Sequence, residues 1–202
     1  LCTLGQRIVV KTQGTIIALA WPDTKVVKEG KWYDHPMRWF GFLKDNHYNA
    51  GHAALLLVNH NTGRVEYFDF GRYHTPYQYG RVRDRVTDPD VAIQLTANVQ
   101  DGEIMNIEEL LSDRFNNKAC HGDGRLTAAI CKDICYQTAY EKAKEMQERE
   151  AIPYGPFAKN GSTCSRLVVQ VVKPATNCSI TKALIRLPYT LSAPPRSNNK
   201  VL

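Results

Sequence analysis

Residues 51–71 read GHAALLLVNHNTGRVEYFDFG, and this stretch decides the fold class. Two runs rich in strand-forming residues flank a short segment in which Asn61 and Gly63 supply turn chemistry, so the stretch predicts a β-hairpin. The first run is almost continuously apolar over residues 53–58, which is typical of a strand that is covered on both faces. His52 therefore lies at the entrance of a buried central strand.

Other stretches predict the elements around this hairpin. Thr15–Trp21 is typical of an apolar strand that enters the core, and Asp90–Val99 is a further strand candidate. Asn106 is followed by acidic residues, which favours the start of a short helix. Leu126–Glu150 carries strong helix formers with an apolar stripe and predicts one long amphipathic helix. The aromatic residues of Trp32–Leu43 favour a short helix or a wrapped loop.

Length and composition limit the class of protein. The 202 residues are 43% hydrophobic and 23% charged, as in an ordinary globular protein. We expect a single domain over residues 1–202, with a loop and helical insertion at about 72–150. No apolar run approaches the roughly 18 residues of a membrane span. The net charge of +6 favours anionic partners, but the basic residues are dispersed, so nucleic acid is not an expected partner.

The first residues, LCTLGQR, lack the basic start and the apolar run of a signal peptide. A cytoplasmic location is therefore the expectation, although a chain that does not begin with methionine leaves a removed leader open. The sequence does not predict an oligomeric state.

Six cysteines occur, at positions 2, 120, 131, 135, 164 and 178. Their spacing lacks the CxxC pairs of a zinc site and the density of a disulfide scaffold, so we expect neither a metal nor another cofactor. Cys131 and Cys135 would share one face of the predicted long helix and pack into the core.

Cys164 follows the small polar stretch Gly161-Ser162-Thr163 and precedes the apolar run SRLVVQVV. This pattern predicts a helix that starts near Ser162 or Thr163, with Cys164 in its first turn. A helix N-terminus stabilises a thiolate, and the backbone amides there can face a developing oxyanion. Cys164 is therefore the candidate nucleophile.

His52 is the candidate base, because a central strand fixes its backbone while its ring can project beyond the sheet. A rival lies in the CHGDG segment, where Cys120, His121 and Asp123 occur together. Adjacent side chains normally diverge, so Cys120 and His121 do not readily form a nucleophile and base pair with each other. This segment is either a second chemical site, a loop that lines the first one, or a glycine-driven turn.

The motifs GHAAL and YFDF, followed much later by IPYGPF and GSTCSRLV, resemble the circularly permuted papain-like proteins of the NlpC superfamily, including the YiiX/YaeF-like group. FDFGRY, HGDG and YGPF are similar to the uncharacterised DUF6695-type proteins of Bacteroidetes. The resemblance implies a papain-like α+β fold, in which the cysteine helix packs against an antiparallel sheet that bears the histidine. It also implies an acidic or other polar residue on the strand after the histidine.

The third catalytic residue must orient the imidazole of His52. The resemblance points to Asp69, whose carboxylate between two phenylalanines needs a partner, either His52 or an arginine such as Arg72 or Arg83. A three-residue hairpin loop would place His52 opposite Arg72 and on the same face as Glu66, which is the alternative third residue. A two-residue turn or a bulge would return Asp69 to the histidine's face.

Further residues complete the predicted site. The resemblance implies that Tyr154 donates a hydrogen bond to the oxyanion, whereas the alternative is a core tyrosine. Arg72, Arg83 and His121 are candidate ligand contacts, because the arginine-rich loop after the hairpin is suited to border a cleft.

These residues predict a cysteine hydrolase of the peptidase or amidase type, which acts on an amide or ester bond through Cys164 and His52. The expected substrate is a peptide, a cell-wall-type amide or an acyl ester. Two alternatives stay open. One is a lipid acyl hydrolase or acyltransferase, on the resemblance to lecithin retinol acyltransferase-like relatives. The other is a non-catalytic module that binds an anionic ligand.

Overall fold

The computed structural model describes residues 13–27, 43–44, 47–48 and 51–178. Its strands are β1 (Gln13–Trp21), β2 (Val26–Val27), β3 (Leu43–Lys44), β4 (His47–Tyr48), β5 (His52–Asn59), β6 (Val65–Gly71), β7 (Tyr79–Arg83), β8 (Val99–Gln100), β9 (Glu103–Ile104), β10 (Thr127–Cys135) and β11 (Ile152–Pro153). Its α-helices are α1 (Ile107–Asn116), α2 (Tyr136–Gln147) and α3 (Cys164–Ala175).

Six of these strands form a central sheet in the order β10-β1-β5-β6-β7-β11, and each neighbouring pair is antiparallel. β2, β4 and β3 form a small separate sheet, and β8 pairs with β9. β1 and β5 lie inside the central sheet and are buried along almost their whole length. Their nearly continuous apolar sequences are those of strands covered on both faces.

Each face of the central sheet carries an apolar core. On one face the sheet packs against α2 and α3, with Leu55 and Phe68 meeting Leu167 of α3. On the other face Leu56 and Tyr67 pack with residues of α1 and of the loops that follow β7. Because successive side chains of a strand point to opposite faces, β5 and β6 contribute to both cores. The sheet is thus the middle layer of the molecule.

The predicted hairpin forms, but its register differs by one residue from that of a three-residue loop. Ala54 pairs with Asp69, and the Asn59 amide donates to the Arg64 carbonyl, so four residues form the loop. The Asn59 side chain accepts hydrogen bonds from the backbone amides of the loop, and Gly63 has a φ of +68°. This register places Asp69 on the face of His52 and Glu66 on the opposite face.

The prediction of one long helix over Leu126–Glu150 is wrong in its first half. Residues 127–135 form β10, which pairs with β1 at the edge of the sheet, and only Tyr136–Gln147 is helical. Cys131 and Cys135 therefore lie on a strand rather than on one face of a helix. Cys131 is buried in the core beneath α3, whereas Cys135 is half-buried.

The other predicted elements have mixed outcomes. The strand over Thr15–Trp21, the helix after Asn106 and the helix that begins at Cys164 are confirmed. The strand over Asp90–Val99 is wrong, because a short 3-10 helix and an irregular segment fill that range until β8 begins. The prediction for Trp32–Leu43 lies outside the described residues except at its last residue, which begins β3.

Candidate active site

Cys164 is the first residue of α3. Thr163 caps the helix with an extended backbone, and its hydroxyl accepts a hydrogen bond from the Arg166 amide at 3.3 Å. The amides of Ala53 and Ser165 donate to the Cys164 sulfur. The thiol is 6% exposed. Cys164 thus combines a helix N-terminus with two direct amide donors, which is an environment that favours a thiolate.

His52 is the first residue of β5 and pairs across the sheet with Trp21. Gly51, with a φ of +70°, turns the chain into the strand. The imidazole stacks on the Trp21 indole, with ring centroids 5.8 Å apart. Behind the indole lies Gly122, where any added side chain would overlap the Trp21 ring. The imidazole is therefore held by packing on its Trp21 side.

Asp69 meets His52 on the sheet face that the register selects. Its Oδ2 atom lies 3.4 Å from the His52 Nε2 atom, an ion-pair distance rather than a short directed hydrogen bond. The His52 side chain also forms a hydrogen bond with Cys164. Because Nε2 faces the carboxylate, Nδ1 is the ring nitrogen that remains for the thiol. The structure thus brings together Cys164, His52 and Asp69 in the order that a catalytic triad requires.

The Asp69 carboxylate is fully buried and receives hydrogen bonds from three other side chains. Arg83 donates from Nε to Oδ1 at 3.0 Å and from Nη2 to Oδ2 at 2.6 Å. The Tyr67 and Tyr73 hydroxyls donate to Oδ2 at 3.0 and 3.2 Å. Asp69 therefore serves both of the partners that sequence reasoning treated as alternatives, His52 and an arginine.

The charges of the three residues support one another. Burial raises the pKa of the Cys164 thiol, but the His52 imidazolium and the amides of Ala53 and Ser165 outweigh it and lower that pKa overall. Burial opposes protonation of His52, yet Asp69 and Cys164 raise its pKa to about 9. Burial likewise opposes ionisation of Asp69, whereas His52 and Arg83 lower its pKa to about 2. The three shifts all favour the charged forms, which are a thiolate, an imidazolium and a carboxylate.

A cleft of about 530 Å³ opens beside the exposed edge of His52. Tyr154 lines it and stacks on Phe70 at 5.7 Å, and the Arg72 guanidinium lies 5.3 Å from the centre of the Tyr154 ring. Lys25 also lines the cleft. The walls thus combine aromatic surfaces with cationic side chains, which suits a ligand that carries anionic groups.

Three of the residues predicted as ligand or oxyanion contacts line the cleft, and Arg83 does not. Arg72, His121 and Tyr154 line the cleft, and their roles toward a ligand or an oxyanion stay predictions. Arg83 is different, because it is 3% exposed and lies behind Asp69 rather than at the cleft wall. Glu66, the alternative third residue, is buried on the opposite face of β6 and pairs with Arg64 and Arg85.

The CHGDG segment supplies a wall of the cleft. His121 has a φ of +51° and stacks on Tyr73, with ring centroids 5.4 Å apart. Cys120 points instead into the core, where its sulfur lies 3.7 Å from the Arg114 Nη1 atom. Burial raises the pKa of the Cys120 thiol more than Arg114 lowers it. The two adjacent side chains therefore diverge, as the sequence predicted.

Sequence reasoning missed three aromatic residues of the site: Trp21, Tyr67 and Tyr73. Tyr67 carried a usable signal, because it lies two residues before Asp69 and so shares its sheet face. Trp21 and Tyr73 meet the site through strand pairing and a loop, which no local pattern reveals. Within the described ranges, no cluster of three or more histidine, cysteine, aspartate or glutamate side chains is suited to hold a metal ion.

A comparison with known protein families identifies the family of this chain. A family profile described as type VI secretion system effector TseH-like matches residues 16–180, which include the cysteine, the histidine and the aspartate. The chain belongs to the TseH-like family of type VI secretion effectors. No curated protein matches the chain.

A solved structure supports the fold of this TseH-like chain. The crystal structure of the type VI secretion system effector TseH matches with a TM-score of 0.54 and 18% identity, over 81% of this chain and 77% of that chain. At this identity the likeness concerns the fold alone. The predicted α+β papain-like fold, an antiparallel sheet packed against helices, is confirmed. The narrower DUF6695 assignment and the circular permutation stay predictions.

Proposed function

We propose that this TseH-like protein is a cysteine hydrolase that cleaves an amide bond, with Cys164 as nucleophile, His52 as base and acid, and Asp69 as the residue that orients His52. The observation that supports this most directly is the contact of one imidazole with both a helix-capped thiol and a buried carboxylate. A structural histidine has no need of that double contact. The mechanism requires both.

The reaction follows from these positions. The Cys164 thiolate attacks the carbonyl carbon, and the carbonyl oxygen takes the negative charge beside the first turn of α3 and Tyr154. Protonated His52 gives its proton to the leaving amine as the carbon–nitrogen bond breaks, which leaves a thioester on Cys164. Water then gives a proton to His52 and attacks the thioester. The acid product and the starting thiolate–imidazolium pair result.

The cleft favours an amide with anionic groups over a long acyl chain. Lys25 and Arg72 stand on its walls, and cations in a cleft bind carboxylates better than they bind hydrocarbon. Peptides of the bacterial cell wall are amides that carry such carboxylates. Membership of a secretion-effector family favours action outside the cytoplasm of the producing cell, which differs from the cytoplasmic expectation. No described helix is long and apolar enough to cross a membrane.

Alkylation by iodoacetamide tests the nucleophile. At about pH 6 we expect Cys164 to react at least roughly tenfold faster than Cys178, because the surroundings of Cys164 favour its thiolate. Cys178 is exposed and acts as an internal reference. His52→Ala should remove the difference. His60→Ala is the matched control, since His60 contacts Thr15 at the hairpin's other end. Equal rates for the two thiols in the wild type would refute the thiolate mechanism.

Mass spectrometry of purified cell-wall peptide fragments tests the substrate class. The wild type should produce two fragments whose summed mass exceeds that of the substrate by one water, and Cys164→Ala should produce none. Phospholipid vesicles and acyl esters are the matched alternatives. Release of fatty acid by the wild type, with cell-wall fragments unchanged, would favour the lipid hydrolase instead. Tight binding of the fragments without cleavage, unaffected by Cys164→Ala, would favour the binding module.

A further inference from the structure

We infer that Arg83 is a positioning residue of the catalytic site, which holds the Asp69 carboxylate in place and supplies a buried positive charge that sustains the Cys164–His52 ion pair. This inference rests on the proposed function and assigns a role to a residue that never reaches the cleft.

Arg83 makes the shortest hydrogen bond to Asp69 and contacts both of its carboxylate oxygens, whereas the Tyr67 and Tyr73 hydroxyls reach Oδ2 alone. The guanidinium fork of Arg83 engages both carboxylate oxygens, at 3.0 and 2.6 Å. A planar fork sets the plane of its carboxylate as well as its distance. The His52 Nε2 atom at 3.4 Å is a weaker contact. The orientation that Asp69 offers to His52 is therefore determined by Arg83 rather than by His52.

Arg83 is itself anchored. Its Nη2 atom also donates to the Ala119 carbonyl at 2.9 Å, and its guanidinium lies 3.5 Å from the centre of the Tyr73 ring. Pairing of β6 with β7 sets Arg83 directly opposite Asp69. Strand pairing, the Ala119 carbonyl and the Tyr73 ring thus hold the Arg83 side chain in place against Asp69.

Arg83 also changes the balance of charge around the Asp69 carboxylate. The titratable groups around Asp69 are His52 of β5, Tyr67 of β6, Tyr73 of the loop after β6 and Arg83 of β7, with Cys120 and His121 of the CHGDG segment nearby. With Asp69 ionised, Arg83 offsets part of its negative charge, while Asp69 still stabilises the His52 imidazolium. The thiolate then forms beside one imidazolium without a second, uncompensated negative charge behind it. Loss of Arg83 removes that compensation and disfavours the thiolate.

The test measures two properties of the folded protein: the pH profile of Cys164 alkylation by iodoacetamide, and the ring N–H signals of His52 in ¹H–¹⁵N spectra. In Arg83→Met we expect the acid limb of alkylation to move up by about one pH unit, equivalent to a rate about tenfold lower at low pH. The ring N–H signal should broaden because Asp69 is no longer fixed. Arg83→Lys keeps the positive charge but lacks the planar guanidinium that contacts both carboxylate oxygens. The acid limb of alkylation should therefore stay at its wild-type pH, and the His52 ring N–H signal should still broaden.

Arg81→Met is the matched control. Arg81 lies two residues earlier on β7 and forms its own bidentate pair with Asp88, at 2.6 and 2.7 Å. Arg81 also donates to the Tyr73 backbone carbonyl at 2.7 Å, which leaves the Tyr73 hydroxyl contact with Asp69 in place. Both readouts should therefore match the wild type. A purely structural role for Arg83 would lower the folded fraction of Arg83→Met and leave the limb and the signal of the folded molecules unchanged, and this result overturns the inference.

Other outcomes remain decisive. If Arg83→Met does not fold, the His52 ring N–H signals of Arg83→Lys and Tyr73→Phe provide the test. Signals as sharp as those of the wild type in both variants would overturn the inference. A wild type without thiolate reactivity at low pH refutes the proposed function instead. The two failures are therefore distinguishable.

Discussion

Two buried thiols on opposite faces of the same sheet have opposite acidities. Cys164 is 6% exposed and Cys120 is fully buried, and a histidine lies near each of them in space or in the chain. The pKa of the Cys120 thiol is raised by burial. That of Cys164 is lowered in spite of burial, because an imidazolium and two amides contact its sulfur. Burial alone therefore makes an inert cysteine, and directed partners make a nucleophile.

The two histidines explain the difference. His121 directly follows Cys120 in the chain, but its ring turns toward Tyr73. His52 is remote from Cys164 in the chain, and strand pairing and the Trp21 ring direct its imidazole to the thiol. Proximity along the chain is thus a poor guide to a catalytic pair. Substitutions of these thiols and histidines test this contrast.

The largest difference in activity is expected between the variants that remove the Cys164 thiol and the Cys120 thiol. Cys164→Ala should lower kcat/KM on cell-wall peptide fragments by at least about a thousandfold, because no covalent intermediate can form. Cys120→Ala should stay within about twofold and cost roughly 1 kcal/mol of unfolding free energy as a small cavity. Rate assays and urea denaturation measure both. A large loss of activity in folded Cys120→Ala would break the contrast.

The histidines should follow the same order. His52→Ala should lower kcat by about a hundredfold or more, the usual worth of a positioned acid–base group. His121→Ala should change KM more than kcat, with less than about a tenfold effect, because His121 only lines the cleft. Steady-state kinetics at the pH optimum separates these constants. Equal loss of kcat in both variants would assign chemistry to the CHGDG segment.

Activity should depend on pH as the titration of the ion pair requires. Below the acid limb the Cys164 thiolate is lost, and the rate should fall about tenfold per pH unit. Above about 9 the imidazolium of His52 loses its proton, so protonation of the leaving amine fails. A bell-shaped profile of kcat is the expected result. Alkylation of Cys120 should rise only at alkaline pH, and a shared profile for both thiols would contradict the contrast.

The smallest expected effect is on stability in acid. The pKa of Asp69 falls from 3.8 to about 2 on folding, which corresponds to about 2 kcal/mol of stability at 1.36 kcal/mol per pKa unit. Because the folded pKa is the lower one, this stability is present above the unfolded value and is lost as pH falls toward about 2. The free-energy difference between wild type and Asp69→Asn should therefore shrink by about 2 kcal/mol.

Cys120→Ala is the control for that acid titration. Its free-energy difference from the wild type should not change over the same pH interval, because a buried thiol stays protonated throughout it. Urea denaturation at several pH values measures both differences. A constant difference for Asp69→Asn would show that Asp69 is not preferentially ionised in the folded state.

Local patterns were sufficient for the parts of the fold that local chemistry controls. The hairpin around Gly63, the capped helix at Cys164 and the choice of His52 all follow from residues within a few positions of one another. The two elements that carry Cys164 and His52, the proposed catalytic pair, lie far apart in the chain. The order of the histidine and cysteine motifs along the chain, rather than their spacing, predicted that they form one site.

Long-range pairing controls what the sequence did not reveal. β10 contains residues of high helix propensity, yet its pairing with β1 at the sheet edge overrides that preference. The hairpin register depends on the Asn59 side chain, which stabilises a four-residue loop and so selects Asp69 over Glu66. The bidentate contact of Arg83 with Asp69 depends on the pairing of β6 with β7. A single sequence contains no direct signal for such pairings.

The glycine behind Trp21 has a consequence for the order in which activity appears during folding. Gly122 leaves room for the indole, and the indole in turn supports the His52 ring. Three segments that are distant in the chain must therefore assemble before the imidazole is held against the thiol. A partly folded chain would contain Cys164 only as an ordinary, unreactive thiol. The reactive form would therefore require the assembled site and not the helix of Cys164 alone.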